Sequence, residues 1–157
     1  MRELERAAND FLSQRRIAVA GVSRNSKETA NLIFRKLRDS GHEVFPINPK
    51  AAEVEGAACY PDLASLPVKV DGLMIVTPPS AAKTLVDQCA ALGISRVWMH
   101  RSFGSGSVSG EAVQACRQHG IHVIAGACPL MFCKPVDFGH KCIHWIARLT
   151  GQLPQGL

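Results

Sequence analysis

Five short apolar runs along this chain alternate with segments that carry apolar residues at helical spacing, and few folds accept that alternation. The runs fall at residues 17–21, 43–47, 71–76, 95–99 and 121–125. The intervening segments read as helices at 26–39, 80–92 and 109–118, with another at 2–14 before the first run. Ala30, Ile33, Phe34 and Leu37 share one helical face, as do Ala82, Leu85, Val86 and Cys89. Strands this short and this apolar are those buried on both faces by crossover helices. The pattern therefore predicts an α/β fold: a doubly wound parallel sheet of about five strands with helices on both faces.

Local signals place the boundaries. Asn25 with Glu28 three residues on predicts the N-cap of the second helix, and Ser80 that of the third. Residues 51–70 read as mixed, with one short strand at 57–59 and a helical turn after Asp62. Asp137 predicts a cap for a C-terminal helical extension over about 135–150, with Ile143, Ile146 and Leu149 inward. No internal break divides the chain, so residues 1–157 are expected to form one domain.

Composition narrows the function classes. Apolar residues make up 46% and charged residues 20% of the 157, which is ordinary globular usage. No apolar run is long enough to span a bilayer, and the charged start MRELERAANDFLSQRR has no secretory h-region, so a cytoplasmic location is expected. The six cysteines are then expected as free thiols. Cys128, Cys133, His140, Cys142 and His144 cluster in sequence, but their spacing matches no common ligand pattern, and no metal is expected. The net charge of +5 is uneven: residues 1–40 hold nine Lys/Arg against five Asp/Glu. No Lys/Arg run interleaves with aromatics, which argues against nucleic acid and for a small anionic ligand near the first forty residues.

In such sheets a ligand sits beyond the C-terminal ends of the strands, where the winding reverses. The loop Gly21-Val22-Ser23-Arg24-Asn25-Ser26 joins a strand to a helix, the usual setting for a phosphate. A dinucleotide fingerprint would place glycine at 21, 23 and 26; here serines stand at 23 and 26. Nicotinamide dinucleotide sites place an acid after the second strand, and this chain has Asn48-Pro49-Lys50. A lysine there suits a nucleotide with an extra ribose phosphate, so NADP and coenzyme A (CoA) both qualify. Thr77-Pro78-Pro79 predicts a rigid turn able to wall a nucleotide or a thin chain.

The ordered set Ile17-Ala-Val-Ala-Gly-Val-Ser-Arg24, Val44-Phe-Pro-Ile-Asn-Pro-Lys50, Gly56 with Cys59-Tyr60, Asp71-Gly-Leu-Met-Ile-Val-Thr-Pro-Pro79, Val97-Trp98-Met99 and Cys128-Pro129 resembles the small single-domain CoA-binding protein family. That family is similar to the CoA-binding domain of the succinyl-CoA synthetase alpha subunit. The resemblance spans roughly residues 10–135 and implies a Rossmann-like fold that binds CoA or a CoA thioester. It implies Gly21, Val22, Ser23 and Arg24 along the pyrophosphate. Asn48, Pro49 and Lys50 would hold the adenosine and its 3′-phosphate, and Thr77, Pro78 and Pro79 would pack on the nucleotide or pantetheine. The synthetase's phosphorylated histidine belongs to a second domain outside the resemblance, so ligase activity is not implied. The expectation is a carrier, sensor or regulatory module without catalysis of its own.

Two alternatives come from other classes. The chain departs from the usual family pattern after Trp98, where it reads Met99-His100-Arg101-Ser102-Phe103-Gly104-Ser105-Gly106-Ser107. His100 and Arg101 follow one strand and Cys128 the next, which allows a thiol-dependent enzyme acting on acyl-CoA or a CoA disulfide. Alternatively, the chain is an NADP-binding or scaffold protein, in which a homodimer or a protein partner docks on the C-terminal helix with Trp145.

Overall fold

The computed structural model describes residues 2–102 and 104–135. The expected C-terminal helix, with Asp137, His140, Cys142, His144 and Trp145, lies outside the described residues, as does Phe103. A five-stranded parallel sheet runs through the centre, built from β1 (Arg16–Ala20), β2 (Glu43–Ile47), β5 (Gly72–Ile75), β6 (Arg96–Met99) and β7 (His122–Ala125). A separate two-stranded hairpin pairs β3 (Glu53–Val54) with β4 (Ala57–Ala58). The helices are α1 (Arg2–Leu12), α2 (Thr29–Asp39), α3 (Pro79–Leu92) and α4 (Gly110–Gln118).

Alternation along each strand divides the core in two. Ile17, Val19, Met74, Trp98 and Ile124 face α1, α2 and the 3-10 turn Pro129–Met131. Ala18, Ala20, Leu73, Ile75, Val97 and Met99 face α3 and α4. Both faces are thus sealed, as the short apolar runs require. On the first face the Phe11 ring stands edge-on to Trp98 at 5.5 Å, and Phe132 meets the other side of Trp98 at 5.8 Å. Trp98 Nε1 donates to the Gly126 carbonyl at 2.9 Å, so the indole is buried without an orphan donor. Gly72 leaves room for Phe11 against the sheet: a Cβ there would lie 2.9 Å from the ring.

Four boundaries differ from the expectations. Helix α2 begins at Thr29 rather than 26, and its N-cap is Glu28 without a side-chain cap bond. Asn25 instead closes a turn upstream, its Oδ1 accepting from the Lys27 amide and its Nδ2 reaching Glu28. Helix α3 begins at Pro79, whose missing N–H costs nothing in a first turn, so Ser80 is inside the helix and not its cap. The segment after Asp62 is not helical; its carboxylate accepts from the Ser65 amide and hydroxyl in a local turn. The expected strand at 57–59 is one half of the β3–β4 hairpin, whose two-residue turn Glu55-Gly56 has both φ values positive.

The strand order β2-β1-β5-β6-β7 places the reversal of winding between β1 and β5. There the chain is drawn tight. The Gly21 amide donates to Ile47 at 3.1 Å, and the Val76 amide to Ala20 at 3.0 Å. Gly21 has φ +106°, and a Cβ on it would lie 2.7 Å from the Val76 carbonyl oxygen. Gly21→Ala should destabilise the fold by about 2–4 kcal/mol, from positive-φ strain plus displacement of the Val76 backbone. A urea-unfolding midpoint checks this, and a change under about 0.5 kcal/mol would show that the junction has slack.

Candidate functional site

Three loops leave the sheet on either side of that junction. After β1 comes 21–28, after β2 comes 48–52, and after β5 comes 76–78. Their connections are polar and specific. Asn48 Nδ2 donates to the Val22 carbonyl at 2.9 Å, and its Oδ1 accepts from the Lys50 amide at 2.9 Å. This one side chain fastens the second loop to the first. Its backbone N–H donates to Tyr60 at 2.9 Å and its carbonyl takes the weak Cys59 thiol contact at 3.8 Å.

Ser23 is held as firmly. Its amide donates to Asn31 Oδ1 at 3.0 Å, and its carbonyl accepts from Asn31 Nδ2 at 2.7 Å. Its hydroxyl accepts from the Asn25 amide at 3.1 Å. Two of the residues named for ligand contact, Ser23 and Asn48, therefore turn polar groups inward and shape the loops. The charged groups are outside: Arg24 and Lys50 are exposed on the first and second loops, with Lys27 beside the first. Pro49 and Pro78 are exposed and Pro79 half-buried. Sequence reasoning missed Asn31, which is 1% exposed on the apolar face of α2 among Ala30, Ile33 and Phe34. A polar residue interrupting an apolar stripe was the available signal.

Thr77 closes the third side. Its Oγ1 is buried and is the one buried side-chain oxygen or nitrogen among the described residues with no hydrogen-bond partner. An orphaned hydroxyl is costly in a finished core, and a site where a ligand completes the set removes that cost. The absent Cβ of Gly21, the orphaned Thr77 hydroxyl and the exposed cations at 24 and 50 together fit a phosphate-bearing nucleotide lying over the β1–β5 junction.

The second group of candidates follows β6 and β7, which are neighbours. His100 is 8% exposed, and its Nε2 lies 3.0 Å from Ser102 Oγ. Burial pushes its pKa down to about 4, so the ring is neutral at pH 7. Arg101 donates its amide to Ala127 at 3.2 Å, and its guanidinium lies over Gly126. Cys128 is buried in the α1–α2 face, and the pKa of nearby Cys133 is pushed up to about 11, chiefly by burial and less by Cys128. Among the described residues no group of three or more His, Cys, Asp or Glu side chains comes together as a metal site. No helix among them is long and apolar enough to cross a membrane. At the opposite edge of the sheet an open groove of about 950 Å³ runs between α1 and β7. It is far from the winding reversal, and its Arg96 is already paired with Asp10 at 2.7 Å.

A doubly wound α/β domain with exposed cations on the loops at its switch point is the class these features define. The chain belongs to the CoA binding domain family, whose model matches residues 15–134. It is 29% identical over 125 residues to the alpha subunit of an ADP-forming acetate–CoA ligase II from Pyrococcus furiosus. That match covers 75% of this chain but 27% of the subunit, and a similar match to an ADP-forming acetate–CoA ligase I from Archaeoglobus fulgidus covers 17% of that enzyme. The chain thus spans a small part of these relatives. Among solved structures, a hypothetical protein from Pyrococcus horikoshii OT3 superposes with TM-score 0.77 at 25% identity, over 84% of this chain and 91% of that one. A dinucleotide forming acetyl-coenzyme A synthetase 1 from Ca. Korarchaeum cryptofilum, in complex with phosphate and ADP, superposes with TM-score 0.62 at 30% identity, over 71% of this chain and 25% of that one.

The His100 pKa has a consequence for stability. A histidine is ordinarily half-protonated near pH 6.5, and this one resists protonation until about 4. Between those values the unfolded chain binds more protons, so stability present above pH 6.5 is lost as pH falls through about 4, by on the order of 3 kcal/mol. Urea unfolding at pH 7 and pH 4.5 checks this, with His100→Asn expected to flatten the slope. An NMR titration that finds His100 protonating near pH 6.5 would contradict it.

Proposed function

We propose that the crevice binds coenzyme A or a CoA thioester, and that the protein is a carrier, sensor or regulatory module without catalysis of its own. The observation that carries the reading is the β1–β5 junction: a glycine with no space for a side chain, an orphaned Thr77 hydroxyl, and Arg24 and Lys50 beside it. Gly21 and Arg24 lie along the pyrophosphate, Ser23 keeps the loop in shape, and Val22, expected at the ligand too, is instead wholly buried in the core beneath it. Lys50 meets the 3′-phosphate at the end of a loop that Asn48 fastens and Pro49 stiffens. Thr77, Pro78 and Pro79 wall the nucleotide or the start of pantetheine. The relatives that are subunits of CoA ligases support a protein partner or a second copy as part of this role.

A thiol enzyme built on Cys128, His100 and Arg101 has less support. A reactive thiolate needs exposure and positive surroundings. Cys128 is 2% exposed, and the His100 ring is engaged with Ser102.

Calorimetric titration with CoA, dephospho-CoA, NADP and NAD tests the reading. CoA should bind about two- to fivefold more tightly than dephospho-CoA, the scale of one solvent-exposed charge contact, and Lys50→Ala should erase the difference. Cys128→Ser should leave CoA affinity unchanged, and acetyl-CoA should survive incubation with the protein. Tighter binding of NADP, or no binding of CoA, would overturn the proposal.

A further inference from the structure

Behind the first loop lies a closed hydrogen-bonded set that the ligand contacts do not include. Asn31 grips Ser23 on both sides, its Oδ1 taking the amide at 3.0 Å and its Nδ2 reaching the carbonyl at 2.7 Å. The same Nδ2 donates its second hydrogen to Glu55 Oε1 at 2.7 Å. Arg35 Nη1 donates to that carboxylate oxygen at 2.6 Å and to the Ser26 carbonyl at 2.9 Å. The loop is therefore pinned at 23 through Asn31 and at 26 through Arg35, and both pins converge on Glu55.

Glu55 reaches them only from an unusual backbone. It sits at φ 52° in the β3–β4 turn, a conformation that disfavours a glutamate. The turn Glu55-Gly56 is of the kind that asparagine-glycine fills best. Glutamate at this position is thus poor for the hairpin, and its side chain is only 12% exposed. Placing an acid beneath a loop suited to an anion is also unfavourable unless a cation offsets it, and Arg35 does so. A residue that is worse for its own turn, yet bonded at short range to both pins of another loop, is explained by what it does for that loop.

We infer that Glu55 is a positioning residue: through Asn31 and Arg35 it fixes the 23–26 loop, and with it the Arg24 side chain, in the shape that receives the diphosphate of the ligand. The inference rests on the CoA reading for the ligand's identity, but the pinning itself does not. Positioning of this kind strengthens binding because the loop is ordered before the ligand arrives.

Glu55→Asn separates this role from a structural one. Asparagine relieves the turn and is too short to reach both partners. The variant should stay folded, the relieved turn offsetting part of the lost contacts, while the Ser23 amide exchanges with deuterium about tenfold faster or more than any general loss of stability accounts for. Its affinity for CoA and for ADP should fall about tenfold. Glu55→Gln keeps the reach and one acceptor oxygen, and should stay within about threefold of the parent in both readouts. Unchanged Ser23 exchange in Glu55→Asn would overturn the pinning. Faster exchange with unchanged CoA and ADP affinity would overturn the link to the ligand. If the parent protein binds no CoA, that reading fails by itself, and the exchange comparison still decides the pinning.

Discussion

At the β1–β5 junction the end of one strand presses directly on the carbonyl of the next, and the remaining geometry of the crevice follows from that contact. A Cβ on Gly21 would lie 2.7 Å from the Val76 carbonyl oxygen, too close for any side chain, while the Gly21 amide is tied to Ile47 on the other side. Three strand ends are thereby locked in a row, with β1 between β2 and β5. The loops that leave them cannot spread apart, and they must diverge to opposite faces because α2 and α3 lie on opposite sides of the sheet. In doubly wound sheets such a divergence leaves the crevice at the strand ends where ligands sit.

The polar groups of the crevice divide by role. Amide side chains, Asn31 and Asn48, hold loop to loop from within. Cationic side chains, Arg24 and Lys50, project from the loops so held. Such a division would serve the proposed phosphate-bearing ligand: exposed cations stay in water until it arrives, while the backbone beneath them is already fixed. The buried hydroxyl of Thr77 is the exception to a core otherwise satisfied among the described residues. It stands next to the contact that Gly21 makes.

The sheet was legible because its strands are apolar on both faces and its helices carry a single apolar stripe. Those patterns are properties of consecutive residues. What stayed hidden depends on residues far apart in the chain. Glu55 at φ 52° stands where such a turn usually has asparagine or aspartate, so the residue gives no local sign of the hairpin. Asn31 meets Ser23 and Glu55, respectively 8 and 24 residues away, and neither pairing has a spacing rule. The caps were misplaced for a related reason: Asn25 and Ser80 are good caps, but Asn25 is used in a turn before the helix and Pro79 starts α3 one residue early. The crevice residues were found through their loops, yet the inward roles of Ser23 and Asn48 required the fold.

The account stands on where the ligand lies. Backbone amide shifts of the isotopically labelled protein, recorded with and without CoA, locate it residue by residue. The largest changes are expected at 21–24, at Asn48 and Lys50 and at Thr77, with little change at Arg96, His122 and Ile124 along the opposite groove. Changes concentrated in that groove, or absent from the β1–β5 junction at saturating CoA, would contradict it.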